Sequence, residues 1–219
     1  MERVERESGR HYKTPLGTVP SVTTILAATK SPADREGLAR WKRSVGSEKA
    51  ERVRQEAATR GTYLHESIER RLRGEEVWRP TPQWRRDHPW KASVEPFMRR
   101  VNEVYAVERP VWHSLGYAGT ADLFAEVDGQ PTVVDWKSSR KRKSPEWIGD
   151  YLLQAIAYLA AWNECKSSTE PAIAHGIVVV AYADAPADEF KFGPEDLPRL
   201  GREWGRRLAA FECGRVGTT

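Results

Sequence analysis

Residues 117–137 read YAGTADLFAEVDGQPTVVDWK, and this stretch decides the fold. The first part, from Leu115 to Val127, has the composition of an extended strand. The residues DGQP at positions 128–131 are a strong turn signal, and the β-branched and aromatic residues 132–136 are typical of a returning strand. The pattern predicts a β-hairpin whose second strand lies near the centre of a sheet.

Two acidic residues and a lysine of this hairpin carry the predicted chemistry. Side chains alternate faces along a strand, so Asp135 and Lys137 share a face while Trp136 points away. A carboxylate in a central strand is costly to bury unless it is paired or binds a metal. Asp122 and Asp135 could therefore hold Mg²⁺ or Mn²⁺, with the Lys137 ammonium beside the ion. This combination of groups can catalyse cleavage of a phosphodiester bond. An Asp-x-Lys triplet taken alone is more often a solvated face.

Composition excludes several classes of protein. The chain has 219 residues, of which 39% are hydrophobic and 30% charged, as expected for one globular domain. It has no apolar run of the roughly 20 residues that cross a bilayer, so no membrane partner is expected. The N-terminus is charged from Glu2 onward and has no secretory signal, which favours the cytoplasm of a bacterium or a phage-infected host, with an organellar matrix as the alternative. The net charge of +4 is weak evidence for a polyanionic partner.

The order of elements predicts an α/β fold, a central mixed β-sheet flanked by helices, in a single domain over residues 1–219. Residues 1–18 are predicted to be a flexible N-terminus. A helical elaboration is predicted over residues 31–104, with separate helices before and after Gly61, and a catalytic core over residues 105–212. Within the elaboration, residues 75–90 are rich in Trp and Arg and are predicted to form a long loop or arm.

Several other residues are candidates for binding substrate. Gln154 and Tyr158 lie four apart on a predicted helix and share a face, so either could contact a phosphate or orient a catalytic group; alternatively Tyr158 is core and Gln154 exposed. Ser139 and Arg140, at the start of a basic run, could contact phosphates, although such a run is usually a solvated loop. Trp84 in the arm could stack on bases of single-stranded DNA, or the arm could fold back over the sheet.

His65 lies beside a helical stripe of Leu64, Ile68 and Leu72. A lone helical histidine is more often structural than a ligand, but an imidazole can bind Mn²⁺ readily and Mg²⁺ less so.

Together these residues resemble the PD-(D/E)xK nuclease superfamily, in its RecB-like branch. From about Pro20 to Phe211 the chain is similar to the mitochondrial genome maintenance exonucleases and related phage exonucleases. The matching segments are 20–23, 61–65, 117–122, 134–139, 153–158 and 179–182.

The resemblance implies a restriction-endonuclease-like core with an N-terminal helical region, and a DNA exonuclease dependent on Mg²⁺ or Mn²⁺. It implies metal ligation by His65, Asp122, Asp135 and the backbone carbonyl of Trp136, with Lys137 as the catalytic lysine. It further assigns support of the site or contact with substrate to Gln154 and Tyr158, and it places Ser21 and Thr23 in an N-terminal hydroxyl motif. Some relatives hold an iron–sulfur cluster on four cysteines. This chain has two cysteines, so no iron–sulfur cluster is expected.

The predicted reaction is hydrolysis of DNA, single-stranded or with free ends, by a metal-activated water during replication, repair or recombination. The chain has no phosphate-binding loop, so any unwinding needs a helicase or another replication or recombination protein as partner. The alternatives are a structure-specific endonuclease, a nuclease of a recombination complex, or a non-catalytic module that binds DNA ends.

Overall fold

The structure, a computed structural model, describes residues 1–216; residues 217–219 of the predicted single domain lie outside the described part. A five-stranded sheet forms its centre, with strand order β4-β5-β6-β7-β8. The β6–β7 pair is parallel and the other pairs are antiparallel, so the sheet is mixed. The predicted fold class, a mixed sheet flanked by helices, is confirmed. The strands are β4 (Val101–His113), β5 (Tyr117–Val127), β6 (Gln130–Ser138), β7 (His175–Ala181) and β8 (Asp188–Phe192).

Helices cover both faces of this sheet and create two hydrophobic layers. On one face, α1 (Val22–Ala28), α6 (Gly149–Cys165) and α7 (Leu197–Val216) pack around Phe124 and Trp162, whose rings stack 4.2 Å apart. On the other face, Trp136 meets Phe97 edge-on at 5.3 Å. The helices on that side are α3 (Ser47–Leu72), α4 (Pro82–Asp87) and α5 (Pro89–Met98). The crossover from β6 to β7 runs through a short 3₁₀ turn, Pro145–Trp147, and α6.

The N-terminus forms a small sheet of its own, so the predicted flexible segment 1–18 is wrong. Three antiparallel strands pair in sequence: β1 (Glu2–Arg6), β2 (Gly9–Thr14) and β3 (Gly17–Pro20). Both turns use a glycine with positive φ, 108° at Gly9 and 96° at Gly17, a conformation that glycine adopts without steric cost. Tyr12 and Val19 are buried against Ala118 of the central sheet, which anchors this otherwise polar segment.

The helical elaboration differs from its prediction in two places. The two helices expected around Gly61 are a single helix, α3, because burial of Leu64 and Ile68 outweighs the roughly 1 kcal/mol that a mid-helix glycine costs. The arm 75–90 contains α4 and folds back over the sheet, with Trp78 only 7% exposed. The helix α2 (Pro32–Val45) is capped by Ser31, whose hydroxyl accepts a hydrogen bond from the Asp34 amide. No described helix has the length and apolarity that crossing a membrane requires.

Candidate active site

β5 and β6 separate part-way along their length and form a fork. They pair from Val127 and Gln130 at the hairpin turn as far as Leu123 and Val134. Beyond that point β5 stays with β4 and β6 stays with β7. Asp122 and Asp135 are the first residues on the two arms at which β5 and β6 no longer pair with each other. The hairpin thus brings both carboxylates to the apex of the fork, as predicted.

Asp122 holds the two arms together at the apex through its side chain. Its Oδ2 accepts a hydrogen bond of 2.8 Å from the Trp136 amide, which would otherwise lack a partner on β5. His65, from α3, lies with Nδ1 3.5 Å from Asp122 Oδ1 and Nε2 2.9 Å from the Trp136 carbonyl oxygen. Three of the four predicted metal-binding groups, His65, Asp122 and the Trp136 carbonyl, therefore meet at one point.

The charges of His65 and Asp122 stabilise each other. Burial lowers the pKa of His65, but the Asp122 carboxylate more than offsets this and raises the pKa to about 9. Burial in turn raises the pKa of Asp122, and the His65 imidazolium outweighs it, so the pKa of Asp122 falls below its usual value. Both shifts favour the charged forms, in which each ring nitrogen of His65 can donate, one to Asp122 and the other to the Trp136 carbonyl.

Asp135 and Lys137 form an ion pair on the other arm. Asp135 is fully buried, and neither of its oxygens accepts a hydrogen bond of regular geometry in the described structure. Burial raises the pKa of Asp135 to about 6. Burial lowers the pKa of Lys137, but the Asp135 carboxylate reverses this and the net shift is upward, so the ammonium stays charged. Asp135 and Lys137 lie on the same face of β6, as the alternation of side chains along a strand predicted.

Glu108 is a site residue that the sequence analysis missed. It lies on β4 opposite Asp122, since Val107 pairs with Leu123 and Arg109 with Ala121. Ligand atoms of His65, Glu108 and Asp122 lie within 4.8 Å of one another. Burial, followed by the Asp122 charge, raises the pKa of Glu108 to about 7. The available signal was an acidic residue within the apolar strand run 105–113.

The donor set fits a divalent cation. Three carboxylates, Glu108, Asp122 and Asp135, face two cationic side chains, His65 and Lys137, in a partly dry site. Burying the Asp135 carboxylate with lone pairs that accept no hydrogen bond costs free energy unless a positive charge compensates it. Carboxylate oxygens, a backbone carbonyl and one imidazole are ligands that Mg²⁺ and Mn²⁺ accept.

Gln154 and Tyr158 share one face of α6, as their spacing predicted, and lie behind the fork. Gln154 Nε2 donates to the Tyr158 hydroxyl at 3.2 Å. The Tyr158 ring packs directly on the backbone of Gly119, where a Cβ would overlap it. Tyr158 is a core residue, which was the alternative to a role in contacting substrate. Burial holds the pKa of its hydroxyl well above the usual range. Gln154 is half-buried rather than exposed.

Ser21 and Thr23 lie at the start of α1. The Ser21 hydroxyl caps the helix by accepting a hydrogen bond from the Thr24 amide, and it lies 2.9 Å from the Thr23 hydroxyl. The Ser21 backbone forms a single bridge to Ala118 of β5. The observed contacts of this hydroxyl motif are therefore structural.

Three other predicted residues have partners away from the fork. Ser139 donates to the Lys141 carbonyl and closes its own turn, and Arg140 pairs with Glu56 at 2.7 Å. Trp84 packs against Trp78 with ring centroids 5.7 Å apart. Within the described residues, none of the three has a hydrogen bond, ion pair or ring contact to Asp122, Asp135 or Lys137.

Comparison with known proteins gives the chain a family. A family model described as the PD-(D/E)XK nuclease superfamily matches residues 36–211. Human mitochondrial genome maintenance exonuclease 1 is 29% identical over 208 residues, which is 91% of this chain and 60% of that protein. The Xenopus tropicalis protein of the same name is 30% identical over 210 residues, 90% of this chain and 58% of its own. The chain thus spans about three fifths of the length of these curated relatives. Among solved structures, an exonuclease candidate from Eubacterium rectale aligns over 70% of this chain and 68% of its own at 12% identity, with a TM-score of 0.39, which is too low to support a structural conclusion.

Proposed function

Because the chain belongs to the PD-(D/E)XK nuclease superfamily, we propose that it is a divalent-metal-dependent exonuclease of the RecB-like branch that hydrolyses phosphodiester bonds of DNA. The observation that carries this proposal is the strand fork, which brings together Asp122, Asp135 and Lys137, the residues whose order resembles the family motif. The buried ion pair of Asp135 and Lys137 supports catalysis over a purely DNA-binding role, because burying it has no evident benefit for stability.

The side chains of the fork divide the catalytic work. Asp122, Asp135, the Trp136 carbonyl and His65, once its imidazolium has released a proton to solvent, would hold Mg²⁺ or Mn²⁺. When bound there, a divalent cation would make a water molecule more acidic and would offset the charge that develops on the phosphate. Asp122 is oriented by the Trp136 amide through Oδ2, and its Oδ1 faces His65. Lys137, held by Asp135, is placed to orient the attacking water or to stabilise the phosphate in the transition state.

A groove beside the fork supports a preference for single strands. Its volume is about 800 Å³, and its wall combines the guanidinium groups of Arg52, Arg60 and Arg140 with the rings of Tyr63 and Trp90. Arg60 lies 4.9 Å over the Trp90 ring and donates to the Ser138 hydroxyl at 3.2 Å, next to Lys137 in the chain. Aromatic rings among cations are the chemistry by which proteins bind unpaired bases and their backbone. In this proposal Trp84 has no stacking role.

The relatives extend the proposal to a biological setting. Their name describes an exonuclease that maintains a genome, which is consistent with a role in DNA replication, repair or recombination. We propose free ends as the site of attack, and a helicase or another replication or recombination protein as the source of single strands.

Linear and circular DNA distinguish an exonuclease from an endonuclease. End-labelled linear single strands, closed circular single strands and linear duplexes would be incubated with Mg²⁺, with Mn²⁺ or with a chelator. Degradation of linear single strands that needs a metal is expected, with circles intact. Cutting of circles would establish an endonuclease, and activity in the chelator would exclude a divalent cation. Asp135→Asn protein purified in parallel controls for a contaminating nuclease.

A further inference from the structure

β4 carries an acidic residue into the fork in a conformation that the chain rarely adopts. Glu108 has a φ of 49°, in the left-handed region, where a residue other than glycine is uncommon and strained by about 1 kcal/mol or more. The residues on either side of it, Val107 and Arg109, remain paired with β5. The strain is therefore local to Glu108, in the part of the β4–β5 ladder whose register is continuous from Ala106 to His113; the register shifts of this pair lie before Ala106.

The position of Glu108 is also unfavourable electrostatically. It lies directly opposite Asp122, and like charges at opposed positions of an antiparallel pair destabilise a sheet. The nearby charges of His65 and Arg73 offset this repulsion only in part, and among the described residues no hydrogen bond or ion pair to the Glu108 carboxylate is found. Backbone strain and opposed carboxylates together indicate a residue kept for something other than stability.

The geometry around Glu108 suits one small cation. Opposite ligands of Mg²⁺, each at 2.0–2.1 Å from the ion, lie about 4.2 Å apart. Donor atoms of His65, Glu108 and Asp122 already lie within 4.8 Å of one another, so only small side-chain movements are needed to surround an ion. Independently, the fully buried Asp135 on the next strand makes an ion pair with Lys137 but accepts no hydrogen bond of regular geometry from the described residues, so it keeps lone pairs available on the neighbouring arm of the fork.

We propose that Glu108 is a direct ligand of the divalent cation, on the β4 side of the fork and beside His65 and Asp122. This inference rests on the proposed function and adds a ligand from a strand outside the segments that carry the family resemblance. A cation held by these residues would offset the repulsion between Glu108 on β4 and Asp122 on β5.

Binding of Mn²⁺ to the full chain tests the assignment without any assay of activity. MnCl₂ would be titrated calorimetrically into wild type, Glu108→Gln, Glu108→Gly and the control Glu69→Gln. Glu69 is an acidic neighbour of Glu108 on α3, and it pairs with Arg73 instead. We expect Glu108→Gln to raise the Kd for Mn²⁺ at least about tenfold and Glu69→Gln to leave it nearly unchanged.

Glu108→Gly separates ligation from a structural role. Glycine tolerates the positive φ, so this variant should unfold at the wild-type temperature or above it, yet bind Mn²⁺ as weakly as Glu108→Gln. An unchanged Kd in Glu108→Gln, or an equal loss in Glu69→Gln, would overturn the assignment. If wild-type protein failed to bind Mn²⁺, the proposed metal dependence would be overturned as well. If wild type bound Mn²⁺ and Glu108→Gln bound it with the same Kd, only the assignment of Glu108 as a ligand would be overturned.

Discussion

The fork and the cluster around Glu76 differ in how many hydrogen-bond donors surround a carboxylate that is shielded from solvent. Glu76 follows α3 and accepts hydrogen bonds from Lys91, Trp78 and Arg70 at 2.6, 2.9 and 3.2 Å. Asp135 is more deeply buried, yet among the described residues its ion-pair partner is Lys137 and it accepts no hydrogen bond of regular geometry. A carboxylate with a full set of donors contributes to the fold, whereas one with few donors costs stability. We therefore assign the Glu76 cluster to stability and the fork to function.

The largest effect should follow from removing a charge of the fork. Asp135→Asn keeps the shape of the side chain but loses the negative charge that would hold the cation and Lys137. We expect the cleavage rate to fall about 10³-fold or more. The free energy of unfolding, measured with a chelator present, should stay within about 1 kcal/mol of wild type. Burial and the Asp122 charge already disfavour the Asp135 carboxylate, and Lys137 keeps the Asp122 charge as a neighbour.

Glu126→Gln is the matched control for this change. Glu126 is on the same hairpin, and its partner is the amide of Asn102, which a glutamine can still bind. Its cleavage rate should match wild type. Strong destabilisation by Asp135→Asn would show that the ion pair with Lys137 supports the fold and would remove the contrast between the two regions.

The opposite pattern is expected in the Glu76 cluster. Lys91→Met deletes the buried ammonium that bonds to Glu76 and leaves a part-buried carboxylate with fewer donors. Breaking such a pair should lower the free energy of unfolding by about 3 kcal/mol, read from urea denaturation. Cleavage per folded molecule should be unchanged. A fall in activity without loss of stability would place this cluster in the functional machinery.

Gly119 links packing to the fork, because the Tyr158 ring occupies the space of its missing Cβ. Gly119→Ala must displace Tyr158 or β5, and overpacking of this kind costs about 2 kcal/mol. Because Gly119 is three residues from Asp122, the cleavage rate should fall as well. Gly61→Ala in α3 meets open space and should instead stabilise by about 0.5–1 kcal/mol. Equal effects of the two changes would show that the close contact with Tyr158 is unimportant.

The sequence predicted the parts of this site that local chemistry dictates. A turn signal between two β-forming runs sufficed for the hairpin, and alternation sufficed for the shared face of Asp135 and Lys137. Glu108 was missed because its role depends on the register of β4 against β5, which no local pattern in a single chain reveals. The N-terminal sheet was missed because its strands are short and polar, and Tyr12 and Val19 find their partner, Ala118, about a hundred residues away.

The smallest effect concerns pH and again separates the two regions. Burial raises the pKa of Glu76, but its donors, above all Lys91, outweigh this and hold the pKa below the usual 4.5. A depressed carboxyl pKa contributes stability that is complete above pH 4.5 and is lost as the pH falls through the lower folded-state value. Glu76→Gln should therefore unfold at a lower temperature than wild type at pH 7, and the difference should shrink below pH 4.5. A difference in unfolding temperature that persists unchanged into acid would mean that Glu76 acts through its shape and hydrogen bonds rather than through its charge.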